Sequence, residues 1–182
     1  MNEKMPYIMP ECYVDTNLVE FLLGAAVGHQ HSCTKVIGNM KGCFKDSFAV
    51  GVIDNDKVKM GYLSECEEVA RQAHLVLYRH RKKHHYIITV SPAIDVFVLS
   101  CAKDLAVDVT NYNLPVKLKD FIKDTKQITS NKDLRFKALF AAIMGHPEIQ
   151  ALQRSLMYLN DYKYQSDTRE LAAIFTNLES SI

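Results

Sequence analysis

In the stretch FAVGVIDNDK, residues 48–57, an apolar run ends on two aspartates one residue apart, Asp54 and Asp56, with Lys57 directly after them. Two other apolar stretches also end in acid. Asp15 follows ECYV, and Asp95 follows YIITVSPAI one turn into the helix expected there. In an open α/β sheet, functional groups gather at the carboxyl ends of the strands. If these strands are parallel neighbours, the carboxylates converge, and converging like charges repel unless a divalent cation neutralises them. Hard oxygen ligands select Mg²⁺ or Mn²⁺ over zinc. Such an ion suits phosphoryl-ester chemistry, because it binds phosphate oxygens and activates water. Lys57 would then be local to a bound phosphate. The same residues also fit plainer roles: Asp-Asn-Asp-Lys is good turn sequence, Asp15 can be a helix cap, and Asp95 can be a solvated helix residue.

The elements that must position these groups read as follows. Residues 7–14 (YIMPECYV) form a first strand, irregular or near an edge at Pro10. Asp15, Thr16 and Asn17 offer caps, with Glu20 three after Asn17, for an apolar helix LVEFLLGAAV that stops at Gly28. Ser32 caps a second helix, CTKVIGNMKGCF, and FAVGVID follows as a central strand covered on both faces. Ser64 and Glu67 have capping-box spacing at the head of SECEEVARQAHL, read as a helix. LVLYRH and YIITVS flank a turn too short for a crossover and pair antiparallel. Pro92 opens the helix AIDVFVLSCAKDLAV. Beyond residue 113 come four amphipathic helices, with Gly145–His146–Pro147 as a stop and restart. The fold class is α/β: a mainly parallel sheet with an antiparallel hairpin, flanked by helices. Residues 1–112 form the core, and residues 113–182 a helical portion packed on it.

The 182 residues are 48% hydrophobic, enough for one well-buried core, and 22 Lys and Arg balance 21 Asp and Glu. That balance gives no general field for nucleic acid. No apolar stretch is long enough to span a bilayer, and the amino terminus lacks the pattern of a secretory signal. Five scattered cysteines (Cys12, Cys33, Cys43, Cys66 and Cys101) form no CxxC pair, which suits reduced thiols and a cytoplasmic setting.

Two further groups invite chemistry. His29, His31 and Cys33 alternate in GHQHSC, and His84 or His85 would complete a tetrahedral zinc set, but a helix starting at Ser32 disperses them. A loop with hydrogen-bonding histidines is the better account. The run RHRKKHH carries Arg79, Arg81, Lys82 and Lys83 between Tyr78 and Tyr86. It fits a phosphate-backbone contact with stacking groups, or simply a soluble hairpin tip. The apolar stripe Leu139, Phe140, Ile143, Leu152, Leu156 and Leu159 reads as core, or as a surface for an oligomer or protein partner.

A strand leading through an acid into an apolar helix, then a hydrophobic strand ending in DxD, resembles the Toprim (topoisomerase–primase) pattern of small bacterial nucleases. The resemblance covers roughly residues 7–100. It implies that Asp15, or Glu11, supplies the first acid and that Asp54 and Asp56 are the DxD, together holding Mg²⁺. In some relatives a proline and an acid open a later helix, and Pro92 and Asp95 resemble that element. The family's first acid is usually a glutamate followed by glycine, whereas this chain reads YVDTNLVE. The shorter Asp15 can bind metal, but the acid–base role of the family's glutamate does not carry over with it.

Two readings result. In one, the chain is a Toprim-like, Mg²⁺-dependent phosphodiesterase or nuclease acting on DNA or RNA; Asp15, Asp54, Asp56 and Asp95 hold the metal and Lys57 contacts phosphate. In the other, it is a non-catalytic α/β interaction or regulatory module whose carboxylates serve as caps and turns. Acids at several strand ends favour the first, and balanced charge favours the second.

Overall fold

The computed structural model describes residues 4–55 and 61–176. Asp56 and Lys57 lie outside the described residues. The elements run β1 (Lys4–Met5), β2 (Ile8–Pro10), α1 (Tyr13–Leu23), β3 (Ala26–Val27), α2 (Cys33–Lys41) and β4 (Ala49–Asp54). They continue with β5 (Cys66–Arg71), β6 (Leu75–His80), β7 (His85–Val90), α3 (Ile94–Asp104), α4 (Leu118–Thr125), α5 (Leu134–Ala142), α6 (Pro147–Tyr162) and α7 (Thr168–Phe175).

The main sheet has the order β2-β4-β7-β6-β5, with β1 and β3 forming a separate parallel pair. The pairings β2–β4 and β4–β7 are parallel, while β7–β6 and β6–β5 are antiparallel. The sheet is therefore mixed rather than mainly parallel. Its middle strand is β7, and FAVGVID lies beside it, flanked by parallel neighbours as its continuous apolar run implies.

The extra antiparallel strand is where the expected helix at residues 64–75 stood. CEEVAR is an edge strand preceded by a short 3-10 turn, Leu63–Glu65. Its glutamates find cross-strand and local cations: Glu67 is in register with Arg79, and the Arg71 guanidinium grips the Glu68 carboxylate at 2.6 and 2.9 Å. Pairing with β6 overrides the helical preference of the segment.

The first strand is also shorter than expected, because α1 begins earlier. Cys12 is its N-cap residue, and the Asp15 carboxylate, three residues on, accepts the Cys12 N–H at 3.0 Å. The helix ends at Gly24, whose φ of 63° is a left-handed conformation that glycine adopts without steric cost, rather than at Gly28. Ala26 and Val27 are thus released to pair with β1. Ser32 caps α2 as expected, its hydroxyl accepting the Lys35 N–H at 3.2 Å. Pro92 precedes α3 instead of standing in its first turn, and the Ser91–Pro92 peptide is cis.

Side-chain alternation along β4 separates two apolar clusters. Val50 and Val52 face α1, α3 and the later helices, whereas Ala49 and Ile53 face α2. On the larger side, Phe121, Phe136 and Phe140 from α4 and α5 are fully buried and join the cluster that holds Val50, Val52, Ile88 and Val90. The stripe Leu139, Phe140, Ile143, Leu152, Leu156 and Leu159 is wholly within this core. No helix among the described residues is long and apolar enough to cross a membrane.

On the smaller side, Gly51 lets α2 approach β4. A β-carbon there would lie 2.9 Å from Val36 Cγ1 and 3.3 Å from the Met40 sulfur. Gly51→Val should therefore lift α2 off the sheet and destabilise the fold by about 1–3 kcal/mol, read as a lower urea midpoint. An unchanged midpoint would contradict this packing.

Candidate functional site

Parallel β2 and β4 both run out on the same edge, and α1 and α3 begin there. That edge collects Glu11, Asp15, Asp54 and Asp95, of which Glu11, Asp15 and Asp95 are all less than a tenth exposed. The apolar stripe of α1 explains the burial of Asp15. It lies three, four and seven residues before Leu18, Val19 and Leu22, on the face that packs into the core. Asp95 likewise shares a face of α3 with Val98 and Ala102.

The acids tie the edge together through backbone N–H groups. Glu11 Oε2 accepts the Asp54 N–H at 3.1 Å, while the Glu11 N–H itself donates to the Val52 carbonyl at 3.0 Å. Asp54 Oδ1 accepts the Ile94 N–H at 2.9 Å. That N–H is one of the unsatisfied donors at the start of α3, and the N-cap residue, Ala93, has no side chain to take it. Asp54 thus caps α3 from another element, and its charge sits at the positive end of that helix. Asn55 adds a third link, donating from Nδ2 to the Ser91 hydroxyl at 2.8 Å.

Asp15 is the strained member. Its Oδ2 takes the Cys12 N–H, but its Oδ1 is buried with no hydrogen-bond partner among the described residues. Burial, and then the negative charge of Asp54, push its carboxyl well above the usual carboxylate range, against the lowering effect of the Cys12 bonds. The Glu11 charge adds to the rise. Burial and the Asp15 charge likewise raise the Cys12 thiol, so that side chain is no nucleophile.

Of the sequence candidates, Asp15, Asp54 and Asp95 therefore share one edge, and Glu11 joins them there. Glu11 braces β4 while Asp15 stands in the first turn of α1. That Asp54 takes the Ile94 N–H was missed in the sequence reading, where the signal was an alanine, unable to cap, before α3. An all-carboxylate set with an orphaned oxygen suits a hard divalent cation. Among the described residues, no three His, Cys, Asp or Glu side chains already stand in an arrangement that holds an ion.

The histidines have other partners. His29 stacks on Tyr13 with ring centroids 4.8 Å apart, and His31 meets it edge-on at 4.8 Å. Cys33 is the first residue of α2 and is buried in the smaller cluster. His85 lies far along the chain's core, its Nδ1 2.5 Å from the Tyr62 hydroxyl and its Nε2 2.8 Å from the Phe44 carbonyl. Burial lowers the pKa of His29 and of His85, which suits neutral rings.

The basic run is at the other end of the sheet. It joins β6 to the start of β7, and β7 runs parallel to β4, so the turn lies at the amino ends of the strands whose carboxyl ends carry the acids. Six residues of strand separate the two edges by roughly 20 Å. Tyr86, a stacking candidate in the sequence, is 1% exposed and belongs to the core, and Tyr78 packs on the smaller cluster.

No protein-family model, curated protein or solved structure matches the chain.

A raised pKa in the folded state means that the fold favours neutral Asp15. Its stabilising contribution is complete below the unfolded carboxyl value of about 4 and is lost as pH rises through the raised folded value. Asp15→Asn keeps an acceptor for Cys12 and removes the charge. In chelator at neutral pH it should raise stability by on the order of 1 kcal/mol or more, about 2–4 °C in Tm, with the gain shrinking as pH falls towards 4. A less stable variant at neutral pH would contradict the charge conflict.

Proposed function

We propose that the carboxyl edge of the sheet is a divalent-cation site and that the protein is a Toprim-like, Mg²⁺- or Mn²⁺-dependent phosphodiesterase or nuclease acting on nucleic acid. The observation that carries this reading is the buried Asp15 carboxylate, held beside Asp54 and Glu11 with one oxygen unpartnered among the described residues. Buried carboxylates with raised pKa values, clustered at strand ends, are common at functional sites.

In this reading Asp15 and Asp54 are the first ligands, Asp56 completes the DxD pair, and Asp95 assists from the first turn of α3. Glu11 holds the backbone of Asp54 in place, and Lys57 contacts the phosphate. The cation, when bound, would supply charge neutralisation for the phosphate and a more acidic water. The chain's own contribution is a rigid edge. Asp15, Glu11 and Asp54 hold the backbone N–H groups of Cys12, Asp54 and Ile94 respectively, which limits how far each carboxylate can move.

A second reading rests on those same bonds. Glu11, Asp15 and Asp54 already cap and cross-link the backbone, which is the work expected of them in a non-catalytic interaction or regulatory domain.

Cation titration separates the two. A cation binding the folded state alone at a hundred times its Kd adds about 2.7 kcal/mol, so Tm should rise by several degrees with Mg²⁺ or Mn²⁺. Asp15→Asn and Asp54→Asn should each abolish that rise, and with it the cleavage of labelled DNA or RNA. A parent protein indifferent to both cations would leave the interaction-domain reading standing.

A further inference from the structure

The amino edge of the sheet has features that the acidic edge does not use. Lys45, Lys82 and His84 are exposed around a concavity of the surface that Asp46 and Lys83 also line. The Lys83 ammonium donates to the Lys45 carbonyl at 2.6 Å, which fixes the two loops against each other. Next to them stands Tyr164, a residue 53% exposed although its hydroxyl accepts the Phe48 N–H at 3.0 Å. The His84 ring meets it at 5.0 Å, edge to face.

Beneath Tyr164 the buried Phe48 ring touches both it and Tyr7, and the ammonium of Lys163, the residue before Tyr164, lies 4.8 Å from the centre of the Tyr7 ring. Lys163 ends α6 with φ of 47°, a conformation that favours glycine. Lys45, Lys82 and Lys83 thus line a concavity, with Asp46 among them, whose His84 touches the anchored, exposed Tyr164, and Lys163 directly precedes that tyrosine in the chain. Neighbouring lysines on an exposed surface suit successive phosphates, and a fixed ring beside them suits an unpaired base.

We infer that this amino edge binds single-stranded nucleic acid, with phosphates on Lys45, Lys82, Lys83 and Lys163 and a base stacked on Tyr164. The inference does not depend on a cation at the acidic edge. Were both sites real, a bound strand would have to run about 20 Å along the molecule to join them.

The test is fluorescence anisotropy with a labelled oligothymidine in excess chelator, where no cation-dependent step contributes. Affinity should fall with salt, with a log–log slope of about −3 for four phosphate contacts. The doubly substituted Lys45→Gln/Lys82→Gln protein changes two exposed side chains. It should bind at least five-fold more weakly, with a slope shallower by about 1.4. Tyr164→Phe, which keeps the ring but loses its anchoring bond, should bind more tightly than Tyr164→Ala, which should lose about five-fold or more relative to the parent. Circular dichroism and Tm identify any Ala variant that fails to fold, in which case the lysine pair decides. No binding at low salt, unchanged binding in the lysine variant, or equal competition by duplex DNA or phosphatidylserine vesicles overturns the inference. Metal-dependent stabilisation that persists in the lysine variant keeps the two sites distinguishable.

Discussion

Burial of Asp15 beside Asp54 and Glu11 is the constraint around which this fold is arranged. The apolar face of α1, Leu18, Val19 and Leu22, must dock on the sheet, and Asp15 lies on that face, so docking carries a carboxylate into the core edge. The protein meets part of the cost with backbone N–H groups: Cys12 for Asp15, Asp54 for Glu11, and Ile94 for Asp54. These bonds fasten β2, β4, α1 and α3 where their ends meet. The remaining charge conflict appears as the raised Asp15 pKa, with burial as its main cause and Asp54 next. A core that tolerates such a conflict has a feature that stability alone does not explain, because an asparagine would satisfy the same Cys12 N–H.

Strand direction then sorts the chemistry. Because β2, β4 and β7 are parallel, their amino and carboxyl ends fall on opposite edges. The acids gather on one edge and the basic turn with Tyr164 on the other. A formal charge of +1 therefore hides two local fields of opposite sign. The antiparallel β6 and β5 set this separation, since the β6–β7 hairpin returns the chain to the amino edge with its lysines at the tip.

The elements legible in the sequence were those whose pattern has one physical reading. FAVGVID is apolar throughout and bounded by turn residues, LVLYRH and YIITVS are too close for a crossover, and His146–Pro147 restarts a helix cleanly. CEEVAR was not legible, because Ser64 and Glu67 mimic a capping box and only the partner strand β6 shows otherwise. The start of α1 was displaced for a similar reason. YVDT has strand-like residues, but capping by Asp15 on Cys12 begins the helix there. For the site, acids at strand ends could be listed from the sequence, whereas their sharing of one edge required the parallel order β2-β4. The burial of Tyr86 and the remoteness of Arg79 to Lys83 from the acids also follow only from strand direction.

The proposed cation site depends above all on Asp15, buried beside other acids, and the titration of that group tests the proposal most directly. Carboxyl-carbon NMR of Asp15, followed across pH in chelator and again in excess Mg²⁺, reads the group itself. The account predicts a midpoint well above the usual carboxylate value of about 4 in chelator, falling sharply when Mg²⁺ is present. A midpoint near that ordinary value in chelator, or a raised one that Mg²⁺ does not move, would contradict it.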